Sequence, residues 1–175
     1  MKKQVINYID NYLYKFLDVS VDIMPLRFTK MIAMFYGDAR IRRKYWIKLG
    51  VNIGTNSYMN FGFNVITSTQ QNFSKLLIGD NVSIGPNLTI ILDSKPNNSK
   101  HLIDLPYVRE KLCVEGTIKI GNEAWIGANV TILPNITIGE GAIIGAGSII
   151  LTDVEPYSIY AGVPANKIRE VLYGN

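Results

Sequence analysis

The sequence predicts an all-β fold, a solenoid of stacked six-residue repeats covered at one end by helices. Three observations predict it. Isoleucine recurs at Ile120, Ile126, Ile132, Ile138, Ile144 and Ile150, with Pro156, Gly162 and Ile168 on the same beat. Glycine follows four of these isoleucines, at Gly121, Gly127, Gly139 and Gly145. A small or branched residue stands four places after each: Ala124, Val130, Ile136, Ala142, Ser148 and Val154. A period of six fits neither an α-helix nor a hairpin strand. It suits a coil in which each apolar position lands on its equivalent one turn away.

Residues 1–48 read as a helical cap. Tyr8, Tyr12 and Phe16 with Ile9, Leu13 and Leu17 form a stripe at helical spacing, which reads as a packing face. Pro25 breaks the segment, and a second helical stretch runs from Leu26 to about Tyr36. The open end of a solenoid needs such cover, because unpaired edges invite association.

The coil occupies residues 49–165. Its count starts at Ile53-Gly54, passes Met59 and Val65, stumbles over Gln71–Leu77 as a turn insertion, and restarts at Ile78-Gly79, Ile84-Gly85 and Ile90. Gly and Asn behind the inward isoleucines suit tight corners, whose backbone angles few other residues adopt cheaply. Three hexapeptides make one triangular coil, giving roughly six to seven coils. Residues 96–116 lack the pattern and hold Pro96, Asn97, Asn98, Ser99 and Pro106, so they form an excursion loop. Loops on a rigid scaffold are where binding and chemistry concentrate. Residues 166–175 are expected to form a short C-terminal helix or tail, the stretch Ala165–Leu172 being apolar-periodic.

At 175 residues, 47% hydrophobic and 18% charged, the chain has the composition of one soluble domain. Its net charge of +4 is uneven. Residues 1–50 carry ten Lys/Arg against four Asp/Glu, and residues 51–175 carry eight against ten. The cluster Arg40, Arg42, Arg43 and Lys44 reads as a solvated helix face. No nucleic-acid module accompanies it, and an anionic membrane surface is a further reading of the same charge. The single cysteine, Cys113, excludes an internal disulfide framework and suits a reducing compartment. The first ten residues are too polar for a secretory segment and no apolar run reaches bilayer-spanning length, so a cytoplasmic location is expected.

The blocks Ile120 to Pro134, Ile144-Gly145-Ala146-Gly147-Ser148 and Ala161-Gly162-Val163-Pro164-Ala165-Asn166-Lys167-Ile168-Arg169 resemble the hexapeptide-repeat acyltransferases, in particular the maltose, galactoside and polysaccharide O-acetyltransferases. The resemblance covers about residues 45–172. It implies a left-handed parallel β-helix, an exception to the usual right-handed crossover. It also implies a homotrimer that binds acetyl-CoA in the cleft between the β-helices of neighbouring subunits and moves an acetyl group to a hydroxyl of a sugar or surface glycan. Ala128 and Ala146 are the small residues beside which the pantetheine arm passes in such proteins. Lys167 and Arg169 match the cations that meet the coenzyme phosphates, an arrangement suited to Arg. Leu151-Thr152-Asp153 stands where the family often has Thr-Lys-Asp, so Thr152 replaces a usual phosphate-facing lysine. Trp125 is expected at the subunit face. Asn60 and Phe61 fall on a pair that lines the acceptor pocket, while the acidic pair that should follow is replaced near Thr67-Ser68, which points to a different acceptor.

Family chemistry uses a histidine as general base against the acceptor hydroxyl. This chain has one, His101. Counted back from Trp125, His101 lies at the family's distance; counted forward from Ile84-Gly85-Pro86-Asn87, the position holds Lys95. Asp93 or Asp104 is a candidate to orient His101, and Asn97 and Asn98 are candidates for acceptor contact. A single histidine excludes the three-histidine zinc site of β-helical carbonic anhydrases, and no metal is expected. The alternative to an enzyme is a catalytically degenerate relative that binds coenzyme or sugar as a scaffold.

Overall fold

The computed structural model describes residues 2–171. Three helices come first: α1 (Lys2–Val19), α2 (Leu26–Phe35) and α3 (Ala39–Leu49). Sixteen short strands follow among the described residues. Those from β1 (Asn52–Ile53) through β2 (Tyr58–Met59), β3 (Asn64–Ile66), β4 (Leu76–Ile78), β5 (Ser83–Ile84) and β6 (Thr89–Ile91) precede the excursion. The chain then makes β7 (Asp93–Ser94), α4 (Lys100–Asp104) and β8 (Val114–Glu115). It resumes with β9 (Ile118–Ile120), β10 (Trp125–Ile126), β11 (Thr131–Ile132), β12 (Thr137–Ile138), β13 (Ile143–Ile144), β14 (Ile149–Ile150), β15 (Ser158–Gly162) and β16 (Ala165–Glu170).

Successive strands visit three sheets in rotation. One sheet is β1-β4-β9-β12, the second β2-β5-β10-β13-β15-β16 and the third β3-β6-β11-β14, and all pairs within them are parallel except β15–β16. The path is a three-sided coil, and its pairings explain the arithmetic of the sequence. Ile126 pairs with Ile144, 144 − 126 = 18 residues on, three hexapeptides to the turn. Met59 pairs with Ile84, 84 − 59 = 25 residues on, seven more than one turn. A 3-10 helix over Gln70–Lys75 lies within this longer coil. Ile84 pairs with Ile126 after 126 − 84 = 42 residues, so the excursion absorbs 24. Because 24 is four sixes, the count of six survives the excursion although the coil itself is interrupted.

The inward isoleucines and the small residues four places later are buried together along the whole coil, from Ile84 and Leu88 to Ile138 and Ala142. Each apolar side chain rests on its equivalent in the next coil, so a single coil could not bury itself. The corners differ from expectation. Positive φ falls three residues after most of the inward apolar residues, at Asn56, Gly62, Asn81, Asn87, Glu123, Asn129, Asn135, Gly141 and Gly147. The glycine directly after isoleucine serves close approach instead: a Cβ on Gly127 would lie 2.6 Å from the Ala146 nitrogen of the next coil.

α3 covers the open end. Its N-terminus is capped by Asp38, whose side chain accepts from Arg40 N–H at 2.8 Å, and it stops at Gly50, φ +107°. Trp46 is buried edge-on against Phe63 at 5.0 Å and near Phe73 at 6.1 Å. The basic cluster is therefore only partly a solvated face. Arg42 is 1% exposed and donates to the carbonyls of Tyr36, Gly37 and Met59. Arg43 donates to those of Ile53 and Gly54. The guanidinium fork satisfies backbone acceptors that no further coil exists to satisfy.

Two other expectations change. Of the α1 stripe only Leu17 is buried, while Tyr8, Ile9, Tyr12, Leu13 and Phe16 face solvent. The expected C-terminal helix is strand β16 over Ala165–Glu170, antiparallel to β15, with Ile159 opposite Arg169 and Tyr160 opposite Lys167. Extending the second sheet by a hairpin gives β16 backbone partners that a helix would not have supplied to β15. Leu172 and the residues after it lie outside the described residues.

Candidate active site

The excursion leaves and rejoins the coil through a short antiparallel neck, Asp93 opposite Glu115 and Ser94 opposite Val114. Asp93 anchors that neck. Its buried carboxylate accepts from the Ser68 backbone N–H (2.8 Å), the Ser68 hydroxyl (3.0 Å), the Thr67 hydroxyl (2.9 Å) and the Asn72 amide (3.2 Å). Burial pushes its pKa up, but the hydrogen bonds from Ser68, Thr67 and Asn72 outweigh it, and the net shift is downward. Its acceptor capacity is thus spent on the 67–72 turn. No described hydrogen bond joins Asp93, or Asp104, to His101. Thr67 and Ser68, noted in the sequence only as departures, are the groups that hold this carboxylate.

Lys95 follows the neck directly, and a tight turn closes over it with Asn97 N–H donating to its carbonyl at 2.9 Å. A depression of about 430 Å³ is lined by Lys95, Pro96, Asn97, Asn98, Ser99, Lys100 and Ile103. The candidates Lys95 and Asn97 are therefore brought together. His101 lies on α4, whose N-cap Ser99 accepts from Leu102 N–H at 3.4 Å. It is exposed, outside the residues lining the depression, and engaged by no described hydrogen bond. Glu115 at the neck pairs with Lys75, whose hydrogen bond holds the carboxyl below its usual range, with a smaller contribution from Lys95.

Along one corner of the coil small residues follow one another from turn to turn. Phe61 carbonyl accepts from Asn87 N–H, Pro86 carbonyl from Asn129 N–H and Ala128 carbonyl from Gly147 N–H, each at 2.8 Å. This stacks Phe61, Pro86, Ala128 and Ala146 in order, and Ala146 is followed in register by Gly162. Ala146 is exposed, and a Cβ on Gly147 would meet nothing within 4 Å. Beyond it the β15–β16 hairpin carries Lys167 and Arg169, both exposed. Lys167 pairs with Glu155 at 2.5 Å and Glu170 at 3.5 Å, and these partners, Glu155 foremost, raise its pKa. Thr152 is exposed in the turn before Asp153, which accepts from Thr137 N–H. At the other end of the corner, Asn60 accepts from Phe61 N–H at 2.8 Å, and the Phe61 ring lies beneath Arg42. Trp125 projects outward from the second sheet, 59% exposed, in register with Ser83 and Ile143.

The coil is thus a three-sided stack of hexapeptides broken by one long excursion. Residues 117–152 match the bacterial transferase hexapeptide family (six repeats). The galactoside O-acetyltransferase of Escherichia coli K12 is 37% identical over 126 residues, 69% of this chain and 54% of that protein. A probable macrolide acetyltransferase of Lysinibacillus sphaericus is 37% identical over 108 residues, 55% of this chain and 60% of that protein. The chain thus spans little more than half the length of these relatives. A galactoside acetyltransferase solved in complex with coenzyme A shares the fold at TM-score 0.60 and 27% identity, over 86% of this chain and 87% of that one. A hexapeptide-repeat acetyltransferase of Vibrio cholerae, solved with acetyl-coenzyme A, matches in fold at TM-score 0.64 and 22% identity, over 84% and 85% of the two chains. Residues 117–152 thus carry the hexapeptide repeats of bacterial transferases, and the chain is similar over about two thirds of its length to galactoside O-acetyltransferase.

Proposed function

We propose that the chain is an O-acetyltransferase built on a left-handed parallel β-helix, moving an acetyl group from acetyl-CoA to a hydroxyl of a sugar or surface glycan. In this reading it works as a cytoplasmic homotrimer. The observation that carries it is the ladder Phe61–Pro86–Ala128–Ala146–Gly162, a corner without bulky side chains past its first rung. Relatives solved with coenzyme A or acetyl-coenzyme A support a thioester as the donor. Ala128 and Ala146 leave room for the pantetheine arm, and Arg169 and Lys167 face the phosphates, with Thr152 beside them. The acceptor approaches from the excursion, where Asn97 lines the depression and Asn60 and Phe61 lie at the start of the ladder.

The acceptor hydroxyl attacks the thioester carbonyl, and its proton passes to a base. The tetrahedral intermediate then collapses as the carbon–sulfur bond breaks, and the coenzyme thiolate takes up a proton. His101 is the assigned base, as the one histidine of the chain and the residue type this chemistry uses to take a hydroxyl proton. Its exposure on α4 fits a base completed by a neighbouring subunit across a cleft. Thiol release from acetyl-CoA with a panel of sugar acceptors tests this reading. Wild type turns over at least one acceptor, and His101→Ala loses about a hundredfold or more in kcat. Full activity in His101→Ala with loss in Lys95→Ala moves the base to Lys95.

One observation favours a second reading. No described hydrogen bond orients His101, and Lys95 occupies the other alignment of the base. Coenzyme binding without turnover of any acceptor would identify a degenerate member that acts as a coenzyme- or sugar-binding scaffold.

A further inference from the structure

α1 is attached to the domain only near its end. Leu17 is buried there, its carbonyl accepts from the Tyr45 hydroxyl at 3.0 Å, and Asp18 pairs with Lys44. From Gln4 to Leu13 every residue is exposed. At helical spacing Val5, Ile6, Tyr8, Ile9, Tyr12, Leu13 and Phe16 fall on one side, covering about half the circumference. Tyr8 is 74% exposed and Ile6 63%. Asn7, Asp10, Asn11 and Asp18 take the opposite side, and Lys15 stands at the margin of the apolar one. The exposure continues along the chain through Val19 and Ile23 to Phe28, Met31 and Phe35 of α2, spaced at i, i+3 and i+7.

We propose that this face docks on an anionic lipid surface, with α1 lying in the interface plane. Its width separates that occupant from a partner helix, because a coiled-coil seam is a narrower stripe. Its composition agrees: tyrosine, phenylalanine and branched aliphatics face one way, and a lysine at the margin reaches back to headgroup level. The charge is complementary to anionic lipid. Residues 1–50 carry a surplus of 10 − 4 = 6 positive charges, of which Arg42 is buried and Arg43 is engaged with backbone carbonyls, and three of the four acids, Asp18, Asp22 and Asp38, are paired with Lys44, Lys48 and Arg40. No described helix is long and apolar enough to cross a membrane, so the contact is superficial. The inference is independent of the transferase reading, since partitioning onto vesicles needs no turnover.

Flotation of the full chain with vesicles of phosphatidylglycerol and phosphatidylcholine, against phosphatidylcholine alone, tests it. Wild type floats with the anionic vesicles at low salt and less at high salt. The double substitution Ile9→Asp and Phe16→Asp lowers partitioning by about tenfold or more. Both side chains are exposed, so the variant keeps the wild-type melting temperature. Absence of binding to anionic vesicles at low salt overturns the proposal, as does equal binding to neutral ones or undiminished binding by the variant. A wild type that ignores vesicles but falls to a smaller assembly on substitution would assign the face to a second copy of the chain, which also overturns it.

Discussion

The guanidinium of Arg42 lies over the ring of Phe61, its central carbon 4.5 Å from the ring centre, while the same fork donates to the Met59 carbonyl at 2.9 Å. One side chain thus finishes the first coil and fixes an aromatic ring at the start of the small-residue ladder. Replacing Arg42 by Met strands buried carbonyls, a loss of about 3 kcal/mol. Arg40→Met, at a side chain 74% exposed, leaves the unfolding midpoint close to that of wild type. Denaturant unfolding of the two variants checks the contrast.

Two glycines separate close approach from backbone angle. Gly127→Ala drives a methyl group to within 2.6 Å of the next coil's backbone and lowers stability by about 2 kcal/mol or more. Gly147→Ala meets nothing but must hold φ near +73°, a loss of about 1 kcal/mol. Thermal unfolding gives the order.

A large side chain on the ladder tests the donor groove proposed for this corner. Ala146→Trp, at an exposed position, raises KM for acetyl-CoA by about tenfold or more and leaves the melting temperature within a few degrees of wild type. Steady-state kinetics with acetyl-CoA varied measures it.

Glu155 holds the Lys167 ammonium in an ion pair. If Lys167 meets the coenzyme phosphates, Glu155→Gln releases it and lowers KM for acetyl-CoA by about threefold, the scale of one exposed pair. An unchanged KM would leave Arg169 as the phosphate contact.

Asp93 and Asp38 carry depressed pKa values, Asp38 held down to about 2 chiefly by its hydrogen bond from Arg40. A carboxyl whose folded pKa lies below its unfolded one stabilises the protein above the unfolded pKa, about 4, and loses that contribution as pH falls through the folded value. Stability therefore drops below about pH 4. Asp93→Asn is destabilised by about 2 kcal/mol at pH 7 and shows a shallower acid limb. Unfolding midpoints across that range read the slope.

The coil was legible because its physics repeats: Ile126, Ile144 and their equivalents occupy one environment and so one residue type serves them all. Arg42 was not legible, since a helix pattern assigns arginine to solvent and says nothing of carbonyls brought from Met59 by the coil. β16 was misread because Ala165 to Glu170 offers too few residues to separate a helical stripe from an edge strand. Its partner, the last coil, decided it. His101 and Asp93 lie close in sequence, yet the turn at Thr67 and Ser68 claims the carboxylate, a tertiary fact that spacing does not carry.

The 18-residue pitch between Ile126 and Ile144 leaves no slack inside a turn, since a Cβ at Gly127 already collides with its neighbour. New sequence can enter only in whole turns or leave sideways at a corner, as it does after Ile66 and after Leu92. Lengthening or recasting those two outgrowths leaves every rung from Ala128 to Gly162 in place. The stacked corner is thereby insulated from whatever the loops that leave the coil become.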